Sequence, residues 1–413
     1  MEKPRMRAAL CSIFFVLLTF CLMACNDDCK ECSIRWIPVP KIDYIVPAFP
    51  EENAQYWVFT FKNSPDNNKK ICISGKFPYA RFMSFTLYDF ETGEPARFSD
   101  KTQEIEDAMI EPMPGSANPF VIGADRDTPE RDYEVYLVQE SSSHVGEANT
   151  LVIPSEIENP SLFIRVYVPD NPESPSGDVG LPKIRAFDEK TGEQVYCPPI
   201  STAIPKSIVN LPKPPDEDSI PLDVIHSYRP GEFGLFPNGD HPYLIVPLTL
   251  EAKRQDLVAV LRFKAPAFPR TRGEEGVTFT EDQQVRYWSV NLGEMITTGS
   301  SISVSDEDMK IGDDGMVRIV VGPKSLNAPE NGNWNVFSWG WHIKPILLFR
   351  QIAPRDDYEK SFSNVDVAFN AGDYDNLSAD EVLAKKATNY IQEYAPDGVY
   401  CTIEAFEDCG CGL

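Results

Sequence analysis

The sequence predicts a mainly all-β protein: two tandem jelly-roll or β-sandwich-like units followed by one C-terminal amphipathic helix. Short apolar runs alternate with turn-rich segments through most of the chain, with no helical period between them. One run, Arg81-Phe82-Met83-Ser84-Phe85-Thr86-Leu87-Tyr88-Asp89, returns as Arg286-Tyr287-Trp288-Ser289-Val290-Asn291-Leu292-Gly293-Glu294. Side chains alternate between the faces of a strand, so Met83, Phe85 and Leu87 share one face, as do Trp288, Val290 and Leu292. A repeated apolar face implies two related β-units, each burying that face in its own core.

The first 24 residues are set apart. Lys3, Arg5 and Arg7 precede the apolar run from Ala8 to Ala24, the layout of a signal peptide. The run ends Leu22-Met23-Ala24-Cys25, which is similar to the lipobox of bacterial lipoproteins and makes Cys25 the expected lipidation site. Several acyl chains on one residue hold a protein firmly, where a single chain binds marginally. The expected location is therefore the bacterial cell envelope, on the periplasmic or surface face of the outer membrane. Asn26-Asp27-Asp28, directly behind the cysteine, resembles a surface-export tag.

Removing residues 1–24 takes away Glu2 and three basic residues, so the net charge moves from −25 to −27. Such a chain repels phosphate backbones, and nucleic acid is excluded as a partner. Beyond the signal, Cys29, Cys32, Cys72, Cys197, Cys401, Cys409 and Cys411 remain. In an oxidising envelope these are disulfide candidates, with one thiol left over because seven is odd. The Cys29/Cys32 and Cys409/Cys411 pairs are weak as a metal site without a nearby histidine, and neither metal nor cofactor is expected.

A proline-punctuated stretch, 25–50, reads as a tether. The first unit, 51–196, carries strands over 56–61, 70–75, 81–89, 133–138, 151–153 and 162–168. A long Pro/Gly-rich interruption at 103–128 separates them. A proline-rich linker, 197–223, precedes the second unit, 224–370, with strands over 243–250, 257–263, 285–292, 317–321 and 346–352. The repeat extends further, because Arg165-Val-Tyr-Val-Pro169 is answered by Arg350-Gln-Ile-Ala-Pro354. Arg165 lies 84 residues after Arg81 and Arg350 lies 64 after Arg286, so the second copy is shorter, with the missing piece expected in the counterpart of the long loop.

Within the second unit, Trp339 and Trp341 would share one face of a strand beside His342, either as core or as a platform for sugar rings. Asp306, Asp308, Asp313 and Asp314 surround Gly315 without the ligand order of a calcium loop and read as a solvated hairpin. In the C-terminal segment, 371–413, Ser378 and Glu381 form a capping box, and Leu383, Ala387, Tyr390, Ile391 and Tyr394 recur at helical spacing. One amphipathic helix over 379–394 follows, then a cysteine-rich tail.

Several segments together resemble a family of exported bacterial proteins related to the paired domain of unknown function 1254 and domain of unknown function 1214 modules. They are Tyr56-Trp57, Phe77-Pro-Tyr-Ala-Arg-Phe-Met-Ser-Phe85 with Tyr88-Asp89, Pro114-Gly-Ser-Ala-Asn-Pro-Phe120 and Gly123-Ala-Asp-Arg126 from the first half. Arg286-Tyr-Trp-Ser289, Asp314-Gly315 and Leu348-Phe-Arg350 complete the set, which spans about residues 50–405. The resemblance implies a jelly-roll-like fold and brings no established activity, so no catalytic residue is assigned. The chain departs from the pattern by extra cysteines at both ends.

The four histidines sit in no hydrolase motif, which favours a non-catalytic protein that binds a small molecule, a glycan or an envelope partner. Abundant carboxylates keep a glycan-active hydrolase open as the alternative, with a structural envelope component beside it. Ligand-binding candidates are Arg81, Asp89, Arg286, Trp339, Trp341 and His342; for the two arginines the competing expectation is a buried pairing with a carboxylate.

Overall fold

The computed structural model describes residues 35–39, 49, 51–63, 69–195, 224–231, 236–239, 241–272, 277–330, 332–369 and 379–412. The protein is mainly β-sheet, with several sheets and a few short helices near the C-terminus. Among the described residues no helix is long and apolar enough to cross a membrane.

In the first half the strands are β1 (Ile37–Pro38), β2 (Ala54–Thr60), β3 (Lys69–Lys76), β4 (Ala80–Asp89), β5 (Arg97–Phe98), β6 (Lys101–Thr102), β7 (Glu104–Glu106), β8 (Asp132–Gln139), β9 (Thr150–Ile153), β10 (Pro160–Pro169) and β11 (Lys183–Asp188). In the second they are β12 (Arg229–Pro230), β13 (Tyr243–Pro247), β14 (Leu257–Lys264), β15 (Tyr287–Glu294), β16 (Ser300–Ser305), β17 (Met316–Gly322), β18 (Trp334–Ser338), β19 (Pro345–Ile352), β20 (Val367–Phe369) and β21 (Asp397–Thr402). One sheet runs β1-β2-β10-β4-β7 and a second β11-β3-β8-β9; the later half gives β13-β19-β15-β16 and β18-β17-β14-β21. Read strand for strand, the order β2-β10-β4-β7 is repeated by β13-β19-β15-β16, and β11-β3-β8-β9 by β21-β14-β17-β18. Even the parallel pairing of β8 with β9 recurs between β17 and β18.

Register sets the buried faces. Leu162, Ile164 and Val166 of β10 oppose Leu87, Phe85 and Met83 of β4, and this face joins Ile71, Ile73, Val135, Leu137 and Leu151 of the facing sheet in one apolar core. Likewise Leu347 and Phe349 of β19 oppose Leu292 and Val290 of β15, and with Trp288 they pack against Leu261, Val317, Ile319 and Val321. Burying an apolar side chain of this size stabilises a fold by about 1.5–3 kcal/mol, which makes the inward face decisive for register. The shared face expected for Met83, Phe85 and Leu87, and for their counterparts, is the observed one. The outward face is not solvated either: Phe82, Ser84 and Thr86 are buried, as are Tyr287, Ser289 and Asn291.

Three expectations change. The single helix over 379–394 is divided into helices Ala379–Ala384 and Thr388–Ile391 and a 3-10 turn Gln392–Tyr394. Lys386 bridges to Tyr228, and the Ala387 N–H donates to the Ser227 carbonyl, so tertiary backbone pairing outweighs the helical period there. Ser378 of its capping box lies outside the described residues. The tail is more ordered than expected, since Asp397–Thr402 is β21, paired along β14. The tether is pinned where it is described: β1 pairs with β2, and Trp36 packs edge-on against Phe59 at 5.0 Å. Residues 107–131 between β7 and β8 are answered by only 306–315 between β16 and β17, which accounts for most of the difference in repeat length. The linker 197–223 lies outside the described residues.

Truncating Phe85 or Leu292 to alanine leaves a cavity in one core each and is expected to lower stability by about 3–5 and 2–5 kcal/mol respectively, read from the midpoint of denaturant unfolding.

Candidate functional site

The buried outward faces of β4 and β15 meet each other, and the repeated arginine of each strand begins the contact. Arg81 Nη1 lies 2.5 Å from Asp306 Oδ1 and Nη2 lies 2.5 Å from Glu307 Oε1. The other oxygen of Asp306 accepts the Trp288 N–H at 3.1 Å, two residues beyond Arg286. The reverse arrangement uses the first half's residues in the same way. Arg286 Nη1 lies 3.5 Å from Asp107 Oδ1, and Asp107 Oδ2 accepts the N–H of Met83, two residues beyond Arg81, at 2.7 Å. Each aspartate thus ties down the central strand of its own half while it receives the arginine of the other.

A second pair of arginines extends the exchange. Arg165 opposes Ser84 and Arg350 opposes Ser289, small residues that leave room for a guanidinium. Arg165 donates to Thr86 Oγ1 at 2.9 Å, Tyr88 Oη at 2.6 Å and the Phe236 carbonyl at 3.2 Å. Arg350 donates to Glu51 Oε2 at 3.2 Å and to the Phe49 carbonyl. Phe49 and Phe236 stand before the first main strand of each half, each followed by proline, and both hold a left-handed backbone with φ of 45° and 55°. The segment leading into each half therefore seats on the other half. Val168 and Ala353, each before a proline at the end of the arginine-bearing strand, share the same strained conformation at φ 47° and 44°. Between these layers Ala54, Phe82, Tyr167, Val168, Tyr287 and Ile352 form a buried apolar cluster.

Burial pushes the Asp107 carboxyl up to about 7 against the pull of Arg286, and that of Asp306 up to about 6 against the pull of Arg81. Burial also opposes the charge on Arg81, but Asp306 and Glu307 more than offset it and its pKa is raised. For Arg286 burial prevails over Asp107 and the pKa is lowered. The Arg286 guanidinium is supported instead by the Phe279 ring, 3.8 Å from its centroid, and by the Phe120 carbonyl at 3.1 Å.

Where this interface reaches the surface it opens into a cleft of about 660 Å³, with Arg286 at its inner wall and Glu106, Met109, Pro242, Arg355 and Asp357 around it. Arg355 is held by Asp357 through two 2.8 Å hydrogen bonds and donates to the Glu281 carbonyl at 2.7 Å. Donors, acceptors and the apolar faces of Met109 and Pro242 thus border one concave space.

Of the expected contact residues, Arg81 and Arg286 come together, since Arg286 Nη1 lies 3.3 Å from the Arg81 carbonyl. Arg81 is fully enclosed in its ion pairs, so only Arg286 lines the cleft. Asp89 caps the following turn, accepting from the Glu91 N–H and the Thr92 hydroxyl. Trp339 and Trp341 do not form a platform: β18 ends at Ser338 and Gly340 turns the chain at φ 55°. Trp339 is consequently core and Trp341 is 40% exposed. His342 is buried, with Nε2 2.6 Å from Ser301 Oγ. Asp306, read as part of a solvated hairpin, is instead the buried partner of Arg81.

Cys25, Cys29, Cys32 and Cys197 lie outside the described residues. Cys401 and Cys411 form a disulfide across the tail. Cys72 is a buried thiol that burial pushes up to about 11, and Cys409 is an exposed thiol. Among the described residues no group of three or more histidine, cysteine or acidic side chains is arranged to hold a metal ion. Sequence reading missed Glu51, Asp107 and Asp306 as arginine partners; the available signal was the repetition of the arginines, which called for a repeated carboxylate.

No family model matches the chain, and no curated protein matches it. Among solved structures it is similar to an uncharacterised protein of Burkholderia cenocepacia, with 12% identity over 76% of each chain and a TM-score of 0.44. A protein of Vibrio parahaemolyticus matches 75% of this chain and 88% of its own at 10% identity, with a TM-score of 0.35.

Replacing Arg81 by methionine leaves Asp306 and Glu307 buried without a cation and is expected to cost about 3–5 kcal/mol, while adding Asp306→Asn restores part of that loss; a double-mutant cycle on denaturant unfolding measures the coupling. Both aspartates bind a proton more tightly folded than their ordinary value of 3.8 allows, so their contribution to stability is full below that value and falls as pH rises through about 6–7. Thermal unfolding from pH 4 to 7 should therefore show a shallower decline for an Asp107→Asn, Asp306→Asn double variant than for the parent.

Proposed function

We propose that this chain is a lipid-anchored protein of the bacterial envelope that binds a polyhydroxylated ligand, a glycan, without turning it over. Its two halves are tandem jelly-roll-like sandwiches descended from one duplicated module, and the ligand sits in the cleft where they meet. The observation that carries the binding reading is the cleft of about 660 Å³ bordered by Arg286, Arg355, Glu106 and Asp357 beside Met109 and Pro242. Hydroxyl groups are both donors and acceptors, so a wall of guanidinium and carboxylate groups can satisfy them, while the faces of sugar rings pack on apolar side chains. The duplication is supported by the repeated strand order and by the matched Arg81–Asp306 and Arg286–Asp107 pairs. The anchor is supported by Leu22-Met23-Ala24-Cys25 at the end of the apolar run. A hydrolase reading is favoured by one feature, the three carboxylates of Glu106, Asp356 and Asp357 at the same cleft.

Two measurements test these statements. Metabolic labelling with a palmitate analogue should mark the full-length chain and be lost in Cys25→Ser. A thermal-shift screen of mono- and oligosaccharides should find ligands that raise the unfolding temperature, by about 2.7 kcal/mol of stabilisation at a hundredfold excess over Kd. The shift should weaken in Met109→Ala and Arg355→Ala. Release of reducing sugar that disappears on changing Glu106 or Asp356 would instead identify a hydrolase. Silence of the screen together with a stable partner recovered from intact cells would identify a structural envelope component.

A further inference from the structure

A separate constellation lies in the second half and owes nothing to the cleft. Ser301, on the edge strand β16, is exposed, and its Oγ lies 2.6 Å from Nε2 of His342. His342 Nδ1 is buried without a hydrogen-bond partner and faces Glu294 Oε2 at 4.0 Å. The Glu294 carboxylate is itself fixed at the end of β15. It accepts the N–H groups of Ile343 at 2.6 Å, Lys344 at 3.0 Å and Ile296 at 3.1 Å, and so holds the loop that carries His342. Three exposed apolar side chains flank Glu294 and His342 along the chain: Ile296 at 44%, Trp341 at 40% and Ile343 at 56%. The Trp341 and His342 rings lie 4.4 Å apart. An exposed hydroxyl bonded to a shielded imidazole, with a carboxylate behind the other ring nitrogen, is the order of groups that nucleophilic acyl transfer requires. The Ser301 hydroxyl also lies 3.4 Å from the Leu292 carbonyl, and the 4.0 Å gap between His342 Nδ1 and Glu294 must shorten into a hydrogen bond when the site works.

We infer that Ser301 and His342 form a nucleophile and general base that hydrolyse esters of apolar acyl groups, with Glu294 as the positioning residue. Ser301 Oγ attacks the ester carbonyl carbon while its proton passes to His342 Nε2. The tetrahedral intermediate collapses, the C–O bond to the alcohol breaks, and the leaving oxygen takes the proton from His342. Water, its proton drawn to the same nitrogen, then attacks the acyl carbon; the bond from that carbon to Ser301 Oγ breaks, His342 returns the proton to Oγ, and the carboxylic acid leaves. Burial lowers the His342 pKa to about 4, against the raising pull of Glu294. The imidazole is therefore in the neutral, proton-accepting form at neutral pH. The charged groups facing it are Glu294 of β15 and Lys253 of the helix Leu250–Arg254, whose Nζ donates to the Gly340 carbonyl at 2.9 Å.

The test uses the full mature chain and an alkyl fluorophosphonate, whose phosphorus is attacked by an activated serine with loss of fluoride. Intact and peptide mass spectrometry should place one adduct on Ser301. The adduct should be absent from Ser301→Ala and at least about a hundredfold slower to form in His342→Asn, the loss expected for removal of a general base. Both variants are checked for an unchanged unfolding transition, and heat-unfolded parent protein should not label. The labelling rate should rise with pH through the ionisation of His342, and Glu294→Gln should move that midpoint to lower pH. Turnover of medium-chain p-nitrophenyl esters should follow the same pattern. Failure of the folded parent to label under conditions that saturate a known serine hydrolase would overturn the inference. So would an adduct that persists in Ser301→Ala, or labelling in His342→Asn at the parent rate.

Discussion

Two buried arginines whose carboxylate partners lie in the opposite half of the chain constrain everything else in this protein. A guanidinium withdrawn from water without acceptors is destabilising by several kcal/mol, so Arg81 is held by Asp306 and Glu307, and Arg286 by Asp107 together with the Phe120 carbonyl and the Phe279 ring. Because each aspartate also receives a backbone N–H from the central strand of its own half, the charges cannot separate without loosening β4 and β15. The outward faces of both central sheets are thereby committed to one another. The segments at Phe49 and Phe236 reinforce this by reaching across to Arg350 and Arg165.

This commitment explains which parts of the fold were legible in the sequence. The inward faces were legible because water imposes a period of two on a half-buried strand, and Met83-x-Phe85-x-Leu87 carries that period plainly. The outward faces carry serine, threonine and asparagine, which the same rule assigns to solvent. They are buried because they leave space for guanidinium groups from the neighbouring strand, a tertiary circumstance that no local period records. The strands β16 and β21 were missed for related reasons. Ser300–Ser305 is a serine-rich edge, and Asp397–Thr402 is recruited from a segment whose composition belongs to a tail. The helical period over 379–394 was real, but the backbone bridge at Lys386 interrupts it.

The site was less legible than the fold, and again for a physical reason. Carboxylate partners such as Asp107 and Asp306 sit at the starts of loops of different length, so their equivalence emerges only once the strands on either side are superposable in order. Arg286 was identifiable because its repetition marked it. The cleft that it lines is made by Glu106, Pro242 and Arg355, which come from three distant stretches of the chain. Ser301 gave no signal of its own: it is one of several serines on an edge strand, and only the turn at Gly340 brings His342 against it. The cleft is a charged concavity at the seam between the halves, and the Ser301–His342 contact lies apart from it in the second half.

If the reciprocal ion pairs bind the halves into one cooperative body, differential scanning calorimetry of the mature chain will show a single transition whose calorimetric and van't Hoff enthalpies agree, and Asp306→Asn will lower that whole transition. Two resolved transitions, with Asp306→Asn shifting one and leaving the other in place, would contradict the account.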